Sequence, residues 1–415
     1  MSRPRAVVVL TGSELARGDK ADANGAFLAR ELTALGLEPA RILIVGDDPD
    51  ELEAVVREGL AAEVCVLSGG LGPTHDDRTV ETLARVAGRR LLVDEDLAGQ
   101  IEGVSRAIAE RLGRPFSDFA AGVRKQASLP EGAVSLGLAG TAPAVLLPHD
   151  GRLAVALPGP PGELRRLWPR VRESDGLRDL LAGVDVPRHR ILRFFGPSES
   201  AVARVLEEMG GESDGLEVTV CAQDLEIRVD LLERPGSEER AARLAAELRA
   251  RFAGDLFAED ERPVAELVVD RCRALGLTLA TAESCTGGLV GARLTDVPGA
   301  SDVYAGGVVA YSNAAKQRQL GVPGRVLERH GAVSPEAAEA MADGARSALK
   351  TDVAVAVTGI AGPGGGSPEK PVGLVYVAVV APEERVTRRF VFTGDRETVR
   401  ARATAQSLHA LRRLL

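Results

Sequence analysis

Apolar runs that stop at glycine-rich polar loops, each leading into a helical pattern, recur from the start of this 415-residue chain. Arg5–Leu10 stops at Thr11-Gly12-Ser13 and leads to a helical pattern over Asn24–Leu35. Ala40–Val45 stops at Gly46-Asp47-Asp48 and leads to Glu51–Leu60, and Val64–Leu67 stops at Ser68-Gly69-Gly70. Parallel strands need a helix-length crossover between them, so this alternation predicts an α/β fold: a parallel sheet with helices on both faces. Such sheets bind ligands at the carboxyl ends of their strands, where these loops fall.

The length predicts two or three domains. The first is expected over residues 1–175. A second, over 186–259, reads strand (Arg190–Phe195), helix (Glu199–Glu208), strand (Glu217–Cys221), strand (Glu226–Glu233) and helix (Glu238–Phe252). This small α+β unit is similar to an RNA-binding KH module, but its G-x-x-G clamp loop is missing. A spacer or dimerisation role is expected of it, and the chain is expected to form a homodimer. The third domain, 262–415, reads helix (Val264–Leu275), strand (Leu277–Thr281), strand (Val353–Val357), strand (Val372–Val380), strand (Arg385–Phe392) and a closing helix from Asp395.

Net charge is -9, so a dedicated nucleic-acid binder is not expected. Neither a secretory signal nor a spanning apolar run is read in the chain, and a membrane role is not expected. Cys65, Cys221, Cys272 and Cys285 have no metal-ligand spacing and no disulfide framework. A reduced, cytoplasmic protein is the expectation.

Of the 51 basic residues only five are lysine, and Lys316 follows an unusual constellation. Ala282-Glu283-Ser284-Cys285-Thr286-Gly287-Gly288 comes first, then Tyr311-Ser312-Asn313-Ala314-Ala315-Lys316. Arginine stays charged and takes no proton from a nucleophile, whereas a buried lysine can. Ser284, Tyr311 and Lys316 therefore read as nucleophile, hydroxyl relay and general base. Ser284 stands where a strand turns into a helix expected near Gly287-Gly288, with loop amides aimed at what it attacks. Ser312 reads as the N-cap of the next helix, which puts Lys316 in its first turns. Three alternatives stand beside this reading: an ordinary helix cap for Ser284, a surface position for Lys316, and Cys285 as the nucleophile. His330 and His409 read as surface helix residues. The loop Thr358-Gly359-Ile360-Ala361-Gly362-Pro363-Gly364-Gly365-Gly366 could cradle a phosphate, with Arg396 and Arg400 adding charge, or be a plain surface loop.

Ala282–Gly288, Tyr311–Lys316 and Thr358–Gly366 together resemble the carboxy-terminal domain of the CinA family, whose members are nicotinamide mononucleotide deamidases. The resemblance implies hydrolysis of a carboxamide to nicotinate mononucleotide and ammonia, with no cofactor. The family's serine, tyrosine and lysine fall on Ser284, Tyr311 and Lys316. Cys285, Thr286, Gly287, Gly288, Thr358, Gly359, Ala361, Gly362, Arg396 and Arg400 are its expected substrate contacts.

In the first domain, Thr11-Gly12-Ser13-Glu14 with Asn24 forms one polar patch. Ser68-Gly69-Gly70-Leu71-Gly72-Pro73-Thr74-His75-Asp76-Asp77 forms a second, and Gly140-Thr141-Ala142-Pro143 and Pro158–Glu163 add two more. Lys125 is another of the five lysines. Carboxylates at glycine-rich strand ends suit a divalent cation and phosphate oxygens. Asp76 and Asp77 read equally well as a capping pair before a helix over Arg78–Val86. The set is similar to the CinA family's amino-terminal domain, which resembles molybdopterin-binding proteins and in full-length members is associated with a metal-dependent ADP-ribose pyrophosphatase. That implies ADP-ribose contacts at Thr11, Gly12, Ser13, Asn24, Ser68, Gly69, Gly70, Gly72, Thr74, Lys125, Gly140 and Thr141, and a divalent metal on Glu14, Asp76 and Asp77. Ala142-Pro143-Ala144 stands where many relatives carry a final glycine. A contrasting reading makes this domain a ligand-binding or docking module in DNA uptake or repair.

Overall fold

The computed structural model describes residues 3–212 and 215–415 and divides into two compact units, Met1–Arg188 and His189–Leu415. The first unit is built on strands β1 (Arg5–Thr11), β2 (Glu38–Val45), β3 (Val64–Ser68), β4 (Leu91–Val93), β5 (Ser128–Pro130), β6 (Val134–Leu138), β7 (Pro143–His149) and β8 (Arg152–Leu157). Six of them form one sheet in the order β2-β1-β3-β8-β7-β6. β2, β1, β3 and β8 run parallel, while β7 and β6 add antiparallel, so the sheet is mixed rather than wholly parallel. The β7–β8 connection is a tight hairpin at Asp150-Gly151, too short to carry a parallel crossover. Strand side chains alternate between the faces. Val7, Val9, Cys65 and Leu67 enter one core, and Ala6, Val8, Val64 and Val66 the other, so both faces are covered.

The second unit opens with β9 (Arg188–Phe195), β10 (Leu216–Gln223), β11 (Glu226–Glu233) and β12 (Leu256–Ala258), in the order β10-β11-β9-β12. Helices Glu199–Glu208 and Glu238–Arg251 close its core through Val202, Val205, Leu244 and Leu248. The short strand β12 is an addition to the sequence pattern; at three residues it is below the length at which periodicity shows.

The remainder carries β13 (Leu279–Glu283), β14 (Tyr304–Val309), β15 (Val353–Gly359), β16 (Leu374–Val380) and β17 (Arg385–Val391), in the order β14-β13-β15-β16-β17. The first three run parallel and the last two antiparallel. In β15, Val353, Val355 and Val357 pack with helices Val264–Leu275 and Arg396–Leu414, while Ala354 and Ala356 face helix Pro335–Leu349. That helix presents Ala337, Ala338, Met341, Ala342 and Ala345. Alanine against alanine lets helix and sheet approach closely. β14 is absent from the sequence reading because Gly306 and Gly307 interrupt its apolar pattern.

His409 is a correction. It is fully buried, not a surface residue, and stacks on Phe195 with ring centroids 3.6 Å apart and planes 9° apart. Its Nε2 lies 3.0 Å from Glu226 Oε1, so it joins the closing helix to the β9–β12 sheet. His330 is half-buried beside Glu336 at 3.2 Å. Among the described residues no helix is long and apolar enough to cross a membrane.

Candidate active sites

Ser284 follows the last residue of β13, and its amide donates to the Val357 carbonyl of β15 at 2.9 Å. The chain then turns through Cys285-Thr286-Gly287-Gly288 into helix Leu289–Thr295. Gly287 and Gly288 have φ of +64° and +102°, a left-handed course that glycine takes without strain. Glu283, 2% exposed, folds its carboxylate under this turn. It accepts the amides of Gly288 (2.9 Å), Val290 (3.1 Å) and Gly291 (2.8 Å). The helix start is thereby filled by an internal anion.

Lys316 comes from helix Asn313–Leu320, capped by the Ser312 hydroxyl on the Ala315 amide. The lysine is 1% exposed. Its Nζ donates to Ser284 Oγ at 3.0 Å, to the Ala310 carbonyl at 2.8 Å and to the Tyr311 carbonyl at 3.4 Å. Burial, the larger effect, holds the Lys316 ammonium below the ordinary lysine value of 10.5, and the neighbouring Cys285 opposes it. Burial pushes the Cys285 thiol up to about 12, despite the Cys285 and Thr286 amides lying against it. Near neutral pH it is a protonated thiol, which disfavours it as the nucleophile.

Two expectations need correction. Tyr311 does not bridge Ser284 and Lys316: its side chain is 62% exposed, and its hydroxyl accepts from Arg396 at 3.0 Å. Lys316 reaches the serine directly, because helix Asn313–Leu320 aims it inward while Tyr311 precedes the cap. Nor is the whole Cys285–Gly288 turn free to hold an oxyanion. Gly287 donates to the Ser284 carbonyl at 3.2 Å and Gly288 to Glu283, while the Cys285 and Thr286 amides lie against the Cys285 thiol.

The other expected contacts divide by role. Arg400 donates to the carbonyls of Cys285 (3.2 Å) and Thr286 (2.9 Å), bracing the turn. Arg396 also holds the Gly362 carbonyl at 2.9 Å. Both arginines line an open cavity with Arg293, which the sequence reading did not single out. Thr358 is buried with its hydroxyl on the Ala332 carbonyl at 2.7 Å, and Gly359 pairs with Val375 inside the sheet. These two are structural ties, so the glycine-rich loop proper begins beyond them, at Ala361 and Gly362.

In the first unit, the strand-end loops enclose a cavity of about 430 Å³. Thr11, Gly12, Glu14 and Asn24 line it from the β1 side, and Ser68, Gly69, Gly70 and Gly72 from the β3 side. Asp76, Asp77 and Thr141 also line it, whereas the expected contacts Ser13, Thr74, Lys125 and Gly140 do not. Gly69 has φ of +104°, and a Cβ there would meet the Thr11 carbonyl oxygen at 2.4 Å, so glycine is required by close approach. Asp77 accepts from the Thr74 amide (2.9 Å) and hydroxyl (2.5 Å), and Asp76 from the same hydroxyl. Neither caps the helix Thr79–Val86, which has no side-chain cap. Ser13 turns onto Asp47 at 2.5 Å, Lys125 onto the Thr74 carbonyl, and Gly140 lies under Glu163, so these position the walls.

Among the described residues no three His, Cys, Asp or Glu side chains form a ready-made metal cluster, so Glu14, Asp76 and Asp77 do not make one. The cavity is nonetheless walled by the carboxylates of Glu14, Asp22, Asp47, Asp76, Asp77 and Glu163, with Lys20 the one basic side chain among the described residues that line it. That donor set fits a hard cation held by one or two carboxylates together with ligand phosphates. Gln126 was missed: its Nε2 joins the Leu71 carbonyl (2.9 Å) to Thr141 Oγ1 (3.3 Å). A lone glutamine in a helical run carries no local signal of that role.

Three family models match the chain: a probable molybdopterin binding domain over residues 7–173, the damage-inducible protein CinA KH domain over 189–258, and the CinA C-terminal domain over 261–415. A CinA-like protein of Mycobacterium sp. (strain MCS) is 44% identical over 421 residues, covering 99% of each chain. One from Mycobacterium tuberculosis (strain ATCC 25177 / H37Ra) is 42% identical over 424 residues, covering 99% of this chain and 97% of the relative. The solved competence/damage inducible protein CihA from Agrobacterium tumefaciens is 41% identical over 37% of this chain and 97% of its own, with a TM-score of 0.35. With relatives of this identity spanning it almost end to end, the chain belongs to the CinA family.

Proposed function

We propose that the carboxy-terminal domain hydrolyses a carboxamide, that of nicotinamide mononucleotide, through Ser284 and Lys316. The observation that carries this reading is the buried Lys316 Nζ 3.0 Å from Ser284 Oγ. Among the described residues no carboxylate pairs with this amine. The carbonyls of Ala310 and Tyr311 engage two of its N–H bonds, which in the neutral form leaves the lone pair for the serine. Lys316 takes the Ser284 proton as Oγ bonds to the amide carbon, and the Cys285 and Thr286 amides, which rest against the weakly accepting Cys285 thiol in the free site, are the donors proposed for the oxyanion. Lys316 then returns the proton to the departing nitrogen, which leaves as ammonia. Water, deprotonated by the same lysine, releases nicotinate mononucleotide from the acyl-serine. Ammonia release from nicotinamide mononucleotide tests the reading. Ser284→Ala is expected to cost roughly 10³-fold or more in kcat, and turnover by that variant with none by Cys285→Ala would overturn it.

For the amino-terminal cavity we propose hydrolysis of ADP-ribose to AMP and ribose 5-phosphate. Its acid-rich wall supports this reading, because an anionic ligand enters such a wall only with a cation. One or two of the lining carboxylates, Asp77 among them, would hold that cation together with the ligand's phosphate oxygens, and it would supply charge neutralisation for the pyrophosphate. AMP formation from ADP-ribose with and without magnesium tests it. Ligand binding without hydrolysis would favour the docking-module reading instead. The chain is also proposed to be a homodimer in the cytoplasm, and light scattering that gave 43.5 kDa at all concentrations would reject the dimer.

A further inference from the structure

Asn24 is 7% exposed and lines the amino-terminal cavity. Its Nδ2 donates to the Gly159 carbonyl at 2.8 Å and to Ser68 Oγ at 3.0 Å. A carbonyl accepts only from a donor, so Gly159 fixes which way the amide faces. The other end of the amide, Oδ1, is buried and has no hydrogen-bond partner. A buried acceptor without a partner is costly, and such groups in native proteins are commonly completed by a ligand or water.

The surroundings say which part of a ligand meets it. Asn24 opens the helix Asn24–Ala34, and Asp22 already accepts the amides of Asn24 (2.8 Å) and Gly25 (3.0 Å). The helix start is therefore filled, and a phosphate gains nothing there. Phosphates, with their cation, are left to the Gly69–Gly72 turn and Asp76-Asp77 on the β3 side. Resting on the nucleotide reading of this cavity, we infer that Asn24 Oδ1 accepts a hydrogen bond from the neutral part of the ligand, a sugar hydroxyl or a base amino group. Asn24 thereby acts as a specificity residue rather than a catalytic one.

The test is calorimetric binding to the full chain in magnesium. The probes are ADP-ribose and analogues in which the base amino group and each ribose hydroxyl are removed one at a time. One deletion is expected to weaken binding to the parent protein by about tenfold or more. The same deletion should cost nothing further in Asn24→Ala. Asn24→Asp keeps an acceptor in place and should keep the discrimination, which separates recognition from disruption of the Ser68–Gly159 tie. The analogue that responds identifies a hydroxyl or an amino donor. Equal losses for every analogue in parent and Asn24→Ala would overturn the inference while leaving the nucleotide reading standing. Absence of any ADP-ribose binding to the parent would overturn both.

Discussion

Arg396 donates to the Tyr311 hydroxyl at 3.0 Å, tying the phenol to the closing helix and away from the Ser284–Lys316 pair. The same guanidinium holds Gly362, so one side chain links the glycine-rich loop to the tyrosine. Placed this way, the phenol can donate its own hydrogen outward while accepting from Arg396.

The first prediction follows from that placement. Tyr311→Phe keeps the direct contact between lysine and serine and should lower kcat by about tenfold, the scale of one lost hydrogen bond to substrate. Lys316→Ala removes the base and should cost at least a further hundredfold. Steady-state ammonia release by the two variants checks this; equal losses would restore the relay role to Tyr311.

Lys316 also sets a pH dependence. Burial disfavours its ammonium, so the folded pKa lies below 10.5. The neutral amine is the working form, and the rate should rise with pH through that lowered value and then level. Lys316→Ala should lack the rising limb, and Lys316→Arg should lack it too, since arginine stays charged. The stability contribution has a matching sign. A depressed folded pKa means stability is greatest above the unfolded value and is lost as pH falls through the folded one. A rising limb that survives in Lys316→Ala would remove the lysine from the reaction.

The legible parts of this molecule are those with local signals. The strand-end loops are, because glycine marks the positive φ of Gly69 and Gly287 in the sequence itself. Ser312 as a cap is, through its spacing to Lys316. What was not legible depends on groups far apart in sequence. Tyr311 and Arg396 are 85 residues apart and His409 and Glu226 183 apart, so neither pairing has a local pattern. The role of Glu283 was hidden differently. It stands within a recognised motif, but only the folded turn brings Gly288, Val290 and Gly291 onto one carboxylate.

The amino-terminal cavity predicts a charge response. Six carboxylates face one lysine, so ADP-ribose affinity should fall sharply in chelator and recover with magnesium. Asp77→Asn removes a charge but leaves an acceptor for the Thr74 amide. It should weaken magnesium dependence several-fold without changing deamidation. Calorimetry of ADP-ribose across a magnesium series checks it, and equal affinity in chelator would contradict the cation role.

Glu283 gives the most discriminating variant for the serine turn. Its two carboxylate oxygens take three amides, and those amides come from the end of the turn and the first helical residues rather than from Ser284. The side chain should therefore govern where Ser284 Oγ points and leave substrate affinity alone. Glu283→Gln keeps one acceptor oxygen but sets an NH2 group against at least one backbone N–H. Two donors then face each other in a site that is 2% exposed, so the turn must shift to separate them. Losing this cap should destabilise the chain by about 1–2 kcal/mol, the usual range for helix N-caps. A serine displaced by even a fraction of an ångström loses alignment with Lys316, so kcat should drop by about a hundredfold while KM stays within about twofold. Glu283→Asp falls short of the amides by one methylene and should not rescue the rate. Full kcat with only lowered thermal stability would reduce Glu283 to a helix cap and leave the aim of Ser284 to the Val357 hydrogen bond alone.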